Sequence, residues 1–119
     1  MMTGWEAYLP FRSEFTALCP EKYPPEYIDA MVASGQWACW SDGKAAILFE
    51  LKRYPSGLLE VYGWGAVGEL ESIKTLVEAA EVFGTQNGAT AAEIESRPGW
   101  VKALAGYEVT QVKIRKELR

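Results

Sequence analysis

The sequence contains no histidine at all. Histidine is the side chain whose ordinary pKa lies closest to neutral pH, and it is a frequent zinc ligand. A Ser-His-Asp or Cys-His catalytic group therefore cannot be assembled from this chain alone. Any proton transfer has to use Glu, Asp, Tyr, Lys, Cys or a water molecule, and we expect no metal site.

Cysteine is scarce as well. The two cysteines, Cys19 and Cys39, form no Cys-x-x-Cys pair, and both lie in apolar surroundings. Buried free thiols are the expected state of such residues, although the sequence alone leaves a disulfide open. No apolar run approaches the length of a membrane span, and no signal peptide is recognisable. We therefore expect no membrane partner.

The chain also lacks a basic excess, because its formal net charge is −4. Proteins that bind nucleic acids usually present a basic face, since phosphate contacts supply much of their affinity. Basic residues concentrate only near the end of the chain, where Glu117 interrupts Lys113, Arg115, Lys116 and Arg119. This pattern favours a solvated strand face over a phosphate-binding patch. We expect no nucleic-acid partner.

What the sequence does contain is enough apolar material for a core. Its 119 residues are 49% hydrophobic, and no low-complexity tract interrupts them. Length and composition predict one globular domain over residues 1–119.

The N-terminal residues support two interpretations. Trp5, Ala7 and Leu9 alternate along the chain, which is typical of a short strand that Pro10 would end. The stretch Arg12–Cys19 is compatible with a helical turn.

A helix is predicted to begin at Pro24-Pro25, because proline suits the first helical position. Ile28, Met31 and Val32 give its apolar stripe, and Gly35 is a suitable end.

Two turn signals then separate three antiparallel strands. Asp42-Gly43 suits a tight hairpin turn, and Pro55-Ser56-Gly57 makes the second turn. The strands are predicted over Gln36–Trp40, Lys44–Lys52 and Leu58–Tyr62.

A glycine-rich bend at Gly63–Gly68 precedes the clearest helix, over about Glu69–Phe83. Its apolar face is formed by Leu70, Ile73, Val77, Ala80 and Phe83. After Asn87-Gly88 we predict a strand over Ala91–Glu95, a break at Arg97-Pro98-Gly99 and a short helix over Trp100–Ala105. A final strand is predicted because Val112, Ile114 and Leu118 alternate with Gln111, Lys113, Arg115 and Glu117.

This order predicts an α/β fold of the mixed-sheet, α+β kind. It combines an antiparallel meander with one strand-helix-strand crossover, and helices should cover both faces of the sheet. Because such crossovers join parallel strands, Ala91–Glu95 should lie parallel to Leu58–Tyr62.

The bend Gly63–Gly68 also matches the G-x-G-x-x-G pattern. A dinucleotide-binding interpretation would place pyrophosphate at the following helix and Glu93 or Glu95 on the ribose. The single crossover and the bulky Trp64 within the pattern disfavour this interpretation.

The second half of the chain resembles a known family. The segment Ala92–Tyr107 contains Arg97-x-Gly99-Trp100 and then Gly106-Tyr107, and Lys116-Glu117-Leu118 follows near the end. This segment is similar to small GNAT-like proteins of tailed phages, members of the GNAT N-acetyltransferase superfamily. The order of elements from about Tyr27 to Leu118 also resembles the GNAT core, so the resemblance implies a GNAT-like fold.

The cofactor motif of that superfamily is not matched here. Its three positions fall near Gly68, Glu71 and Ile73, and Glu69 and Glu71 occupy the first helical turn. Acidic residues there stabilise the helix but oppose a polyanionic ligand. If acetyl-CoA does bind, the resemblance places it on the backbone of Tyr62, Gly63, Trp64, Gly65, Val67 and Gly68.

The catalytic groups of the superfamily are matched only in part. The resemblance makes Glu60 the candidate general base, because it lies on the strand that corresponds to the splayed strand of GNAT enzymes. A solvated strand residue is the alternative. The position of the usual tyrosine acid is taken by Lys102, and Tyr107 is predicted to lie in the core.

Five tryptophans are present, and Trp64 between glycines is our candidate for an exposed interface residue. The resemblance implies a phage-encoded GNAT-like protein, and the unmatched cofactor motif predicts that it needs no cofactor. It would act through protein contacts as a virion or assembly component, with phage structural proteins or a second copy as partner. The alternative is an active acetyl-CoA-dependent N-acetyltransferase. The expected location is the cytoplasm of a bacterial host, or the virion.

Overall fold

The computed structural model describes residues 1–96 and 100–118. Within them, one five-stranded sheet follows the order of the chain. Its strands are β1 (Met2–Thr3), β2 (Ala38–Ser41), β3 (Ala45–Arg53), β4 (Leu59–Gly68) and β5 (Ala91–Ile94). Neighbours from β1 to β4 are antiparallel, whereas β5 is parallel to β4. The predicted meander and the predicted parallel crossover are confirmed.

Helices cover both faces of this sheet, as predicted. The N-terminal helices are α1 (Trp5–Tyr8), a short 3-10 helix (Leu9–Phe11), α2 (Arg12–Thr16) and α3 (Pro25–Ala33). They are followed by α4 (Leu70–Gln86) and α5 (Trp100–Ala103). Side chains of β3 alternate between two cores: Ala46 and Leu48 pack with the N-terminal helices, and Ala45, Ile47 and Phe49 pack with α4.

The helix α4 is confirmed, but its buried face differs from the predicted one. Ile73 and Ala80 are buried as expected, and Val77 and Phe83 are half-buried. Leu70 is 47% exposed, so its assignment to the buried face was wrong. Leu76 and Gly84 are buried as well, and the sequence pattern did not identify them.

The N-terminal strand interpretation was wrong, because Trp5–Tyr8 is helical. The backbone N–H of Tyr8 donates to the carbonyl of Gly4, and the N–H of Gly4 donates to the carbonyl of Cys39. The hydrogen bond to Cys39 holds the chain beside β2, where Met2–Thr3 forms a strand that we had not predicted. The predicted helical turn after Arg12 is confirmed.

The predicted C-terminal strand is not formed. Residues 107–118 have no regular secondary structure, and Val112 and Ile114 are 77% and 92% exposed. Alternation alone does not make a strand, because a strand also needs a neighbour to bond to. The predicted break at Arg97-Pro98-Gly99 lies outside the described residues.

Both cysteines are free. Cys39 is fully buried in the core, and this burial raises the pKa of its thiol to about 12. Cys19 is half-buried. Because the thiolate is the reactive form, Cys39 is unsuited to nucleophilic chemistry.

An ion pair joins the N-terminal helices to α3. The guanidinium of Arg12 donates from Nε and Nη2 to the two carboxylate oxygens of Asp29, each at 2.8 Å. The hydroxyl of Tyr8 donates to Oδ1 of Asp29 at 2.7 Å. The Arg12 hydrogen bonds lower the pKa of Asp29 below its usual value.

We expect Asp29→Asn to lower the free energy of unfolding at pH 7 by about 1–2 kcal/mol, since charged hydrogen bonds are lost. The folded pKa of Asp29 lies below its unfolded value of about 4, so the stabilisation is present above that pH. It is lost as pH falls through the folded pKa. Urea denaturation from pH 3 to 7 should show the difference from wild type shrinking below about pH 4. A difference that is independent of pH would contradict this assignment.

Gly84 permits the close approach of α4 to β4, because an added Cβ would collide with Cγ2 of Val61. Alanine normally stabilises a helix interior relative to glycine by about 1 kcal/mol. Here we expect Gly84→Ala to destabilise the protein by about 1–3 kcal/mol in chemical denaturation, because the core is overpacked. In a Val61→Ala background the same change should be neutral or stabilising. A stabilised single variant would show that the helix does not pack as described.

Candidate functional site

The glycine-rich segment is part of a strand and not a bend. β4 continues to Gly68, and its register with β3 shifts so that Leu48 pairs with Gly65 and Phe49 pairs with Gly63. Trp64 is therefore the extra residue of a β-bulge. The bend predicted over Gly63–Gly68 was wrong, because these glycines serve close packing. A Cβ on Gly63 would lie 2.5 Å from Cγ2 of Ile94.

Beyond the bulge, β4 and β5 separate. They pair only from Glu60 with Ala91 to Gly63 with Ile94, and β4 then runs on to Gly68. A cavity of about 450 Å³ lies at this divergence. Its walls come from β4, β5, α4, the segment around α2 and the segment around α5.

One wall of the cavity is aromatic. The ring of Trp64 stacks on Trp37 at a centroid distance of 4.5 Å, and Tyr62 and Tyr23 lie at 4.8 and 5.6 Å. The indole N–H of Trp64 donates to Oε2 of Glu50 at 2.6 Å. Trp64 is thus half-buried in an aromatic cluster, and the expectation that it is exposed was wrong. Its role at an interface stays a prediction.

A lysine packs against two of these aromatic rings. Nζ of Lys52 lies 4.4 Å from the centre of the Tyr62 ring and 6.0 Å from that of Trp64. Such a contact is a cation–π interaction. Tyr62 is itself buried, and burial, with a further contribution from the charge of Glu93, raises its pKa.

The opposite wall contains a tyrosine that is hydrogen-bonded to a glutamate. The hydroxyl of Tyr107 donates to Oε2 of Glu81 on α4 at 2.7 Å, and both residues line the cavity. Burial, and then this hydrogen bond, raises the pKa of Tyr107 well above its usual value. Sequence reasoning assigned Tyr107 to the core and did not identify Glu81. The two residues are 26 positions apart, and no local pattern links them.

Glu60 lies outside the cavity. It pairs with Lys52 on one side and Ala91 on the other, at the end where β4 and β5 are still joined. The described carboxylates that line the cavity are Glu81, Glu93 and Glu95. The role of Glu60 as a general base stays a prediction, but a group in the cavity would not meet this side chain directly.

The connection between β4 and α4 consists of Glu69 alone, because β4 ends at Gly68 and the helix begins at Leu70. The N–H of Glu69 donates to the carbonyl of Lys44 at 3.2 Å. Gly68 has φ +106°, and its Cβ would lie 2.5 Å from Cα of Ala45. The close approach to β3 requires glycine there, and Glu69 is the one residue between the strand and the helix.

Acidic groups surround the first turn of α4. Glu69 and Glu71 are exposed, and Glu71 forms a 3.5 Å ion pair with Lys74. Asp42, in the turn between β2 and β3, accepts hydrogen bonds from the Lys44 backbone N–H and from the hydroxyl of Ser72, and these lower its pKa. The sequence had identified Asp42 only as a turn residue.

Two absences apply to the described part of the chain. Residues 1–96 and 100–118 contain no group of three His, Cys, Asp or Glu side chains placed to hold a metal ion. In the same residues, no helix is long and apolar enough to cross a membrane.

We expect Tyr107→Phe to lower the free energy of unfolding by about 1–2 kcal/mol, because Glu81 loses a donor. Chemical denaturation of the wild type, of Tyr107→Phe, of Glu81→Gln and of the double variant gives the four unfolding free energies of a double-mutant cycle. The two changes should be coupled by about 1 kcal/mol. Additive effects would show that the Tyr107–Glu81 hydrogen bond does not form in solution.

No protein-family model matches this sequence, and no curated protein sequence matches it. Solved structures do match. A probable acetyltransferase superposes with a TM-score of 0.69 at 10% identity, over 100% of this chain and 97% of its own. Aminoglycoside N-acetyltransferase AAC(6')-Iy in complex with CoA gives a TM-score of 0.67 at 17% identity, over 97% of this chain and 91% of its own.

A ribosomal-protein-alanine N-acetyltransferase from Brucella melitensis biovar Abortus 2308 gives a TM-score of 0.60 at 10% identity, over 94% of this chain and 92% of its own. Superposition at sequence identities this low establishes the fold alone. The diverging strands β4 and β5, the parallel crossover through α4 and these superpositions agree. The chain has the fold of the GNAT acetyltransferases.

Proposed function

We propose that this protein is a GNAT-like protein that lacks a working acetyl-CoA site and acts through contacts with other proteins. The observation that supports this most strongly is the connection between β4 and α4. It is reduced to Glu69, whose N–H is already bonded to the carbonyl of Lys44. A helix N-terminus holds phosphate through unpaired N–H groups, usually presented by a preceding loop.

Electrostatics supports the same proposal. Asp42, Glu69 and Glu71 place three carboxylates around the first turn of α4. Each would repel a nearby phosphate, and more strongly where water is displaced. The matched AAC(6')-Iy structure was solved with CoA, and our proposal is that this chain has lost the corresponding interaction.

The biological setting is proposed from the sequence resemblance. The segment Ala92–Tyr107 and the Lys116-Glu117-Leu118 end resemble small tailed-phage proteins. We therefore propose a phage-encoded virion or assembly component, present in the cytoplasm of a bacterial host or in the virion. Its partners would be phage structural proteins or a second copy of the chain.

Acetyl-CoA-dependent N-acetyl transfer is the second candidate. The observation that favours it is the cavity between the diverging strands, where the carboxylates of Glu81, Glu93 and Glu95 are available for proton transfer. If acetyl-CoA binds, the backbone from Tyr62 to Gly68 is where we expect contact.

Calorimetric titration with acetyl-CoA separates the two candidates. We expect no binding with a Kd below about 1 mM, because phosphate has no loop to bind and faces three carboxylates. Micromolar binding by the wild-type protein would overturn the proposal and place the protein among the enzymes.

The double variant Glu69→Gln/Glu71→Gln tests which of the two causes dominates. Recovered affinity would assign the loss to charge, and continued absence would assign it to the missing loop. Glu78→Gln is the matched control, because Glu78 is an exposed carboxylate on the same helix, two turns further along. It should not change binding.

A further inference from the structure

Three aromatic rings surround the ammonium group of Lys52. Its Nζ lies 4.4 Å from the ring centre of Tyr62, 5.5 Å from that of Tyr54 and 6.0 Å from that of Trp64. Lys52 and Tyr62 project from the same face of the paired strands β3 and β4, and Tyr54 follows Lys52 by two residues. The backbone N–H of Tyr54 donates to the carbonyl of Leu58 at 2.8 Å, which holds this residue in place. We call Tyr54, Tyr62 and Trp64 the aromatic cage.

The aromatic cage holds the ammonium group of Lys52 through ring faces. The side chain is half-buried, and no ion pair within the described residues includes its Nζ. Ring faces attract a cation through their negative quadrupole, but they offer no lone pair of an oxygen to the three N–H donors of an ammonium group. The cage therefore suits a cation without N–H groups better than it suits the lysine that occupies it.

The distances also fit a methylated nitrogen. A methyl group packs against a ring at about 3.5–4 Å, and its bond to nitrogen adds up to about 1.5 Å, so a quaternary nitrogen lies about 4–5.5 Å from the rings around it. Two of the distances from Nζ of Lys52, 4.4 Å to Tyr62 and 5.5 Å to Tyr54, fall within this range. The third, to Trp64, is slightly longer at 6.0 Å. The cage thus has the size of a trimethylammonium group.

Carboxylates make the cage more attractive to a cation. The indole N–H of Trp64 donates to Oε2 of Glu50 at 2.6 Å, which fixes the ring and makes its face more negative. Burial, and then the charges of Glu60 and Glu93, raise the pKa of Tyr54 above its usual value, so two more carboxylates act on the cage. An external cation is therefore attracted by the surrounding charge as well as by the rings.

We propose that the aromatic cage binds a quaternary ammonium group, and that Lys52 occupies the cage until such a ligand displaces it. A quaternary nitrogen has no lone pair and cannot accept an acetyl group, so the site is one of binding and not of transfer. A free small molecule and a trimethylated lysine of a partner protein present the same group. The proposal goes beyond the proposed function and does not depend on whether acetyl-CoA binds.

The experiment follows the indole N–H resonances of the isotope-labelled protein by NMR during titration with choline chloride, because Trp64 belongs to the cage. We expect Lys52→Ala to bind choline at least about tenfold more tightly than the wild type, since the tethered lysine no longer competes at its high effective concentration. Lys44→Ala is the matched control, because Lys44 is an exposed lysine just before β3, and it should bind like the wild type. Equal affinity of Lys52→Ala and the wild type would overturn the proposal.

Two further ligands separate the charge and the methyl groups from the shape. The neutral analogue of choline, in which carbon replaces nitrogen, has the shape without the charge, and ethanolamine has the charge without the methyl groups. Both should bind Lys52→Ala at least about tenfold more weakly than choline. Equal binding of the neutral analogue would reduce the site to an apolar contact, and equal binding of ethanolamine would make it a general amine site. Either result contradicts the proposal.

Changes at Tyr54 test the ring itself. In the Lys52→Ala background, Tyr54→Phe should keep the affinity for choline, whereas Tyr54→Leu should lower it at least about tenfold, because leucine keeps the bulk and loses the ring face. Unchanged affinity in a leucine variant that is folded by circular dichroism would contradict the cage.

A peptide that contains trimethyllysine distinguishes the two sources of the ligand. Affinity at least about tenfold above that of choline supports a methylated partner protein, since a peptide adds contacts around the cage. Affinity equal to or below that of choline supports a free small molecule. If folded Lys52→Ala binds neither choline nor the peptide, the proposal is wrong.

Discussion

The register shift between β3 and β4 is the constraint on which the site depends. At the bulge, Gly63 and Gly65 pair with neighbouring residues of β3, and Trp64 has no partner opposite it. Bulges increase the local twist of a strand, so β4 turns away from β5 just after the point where Gly63 packs beneath Ile94. The cavity lies where β4 and β5 diverge. The same register shift places the ring of Trp64 against that of Trp37. One inserted residue thereby sets both the shape of the cavity and its aromatic wall.

Most of the regular framework was predictable from the sequence, for identifiable reasons. Proline at 24 and 25, the Asp42-Gly43 turn and the long apolar period before Asn87 each act locally, so short windows of sequence suffice. The parallel placement of β5 followed from the helix predicted between it and β4, because such crossovers join parallel strands. The final strand was predicted wrongly from equally good alternation, because pairing depends on a partner that the segment itself does not encode.

The site was much less predictable, because its contacts join distant positions. Nothing local distinguishes the bulge from a glycine-rich turn, since glycine suits both. Glu81 meets Tyr107, and Asp42 meets Ser72, only after the sheet and α4 have assembled. Arg12 and Asp29 likewise find each other across two helices. The acidic start of α4 was visible in the sequence, but the absence of a loop before it was not, because the strand was expected to end at Tyr62.

The position of α4 is set by contacts away from its N-terminus. The helix is positioned by the fit of Gly84 against Val61 and by Ile73, Leu76 and Ala80 in the core. None of these contacts involves the turn at Glu69. The backbone N–H of Glu69 is itself satisfied by the carbonyl of Lys44. Packing of the helix and binding of an anion at its N-terminus are thus separate properties. A sequence can lose the second and keep the first, which is why superposition identifies the fold and does not identify the activity.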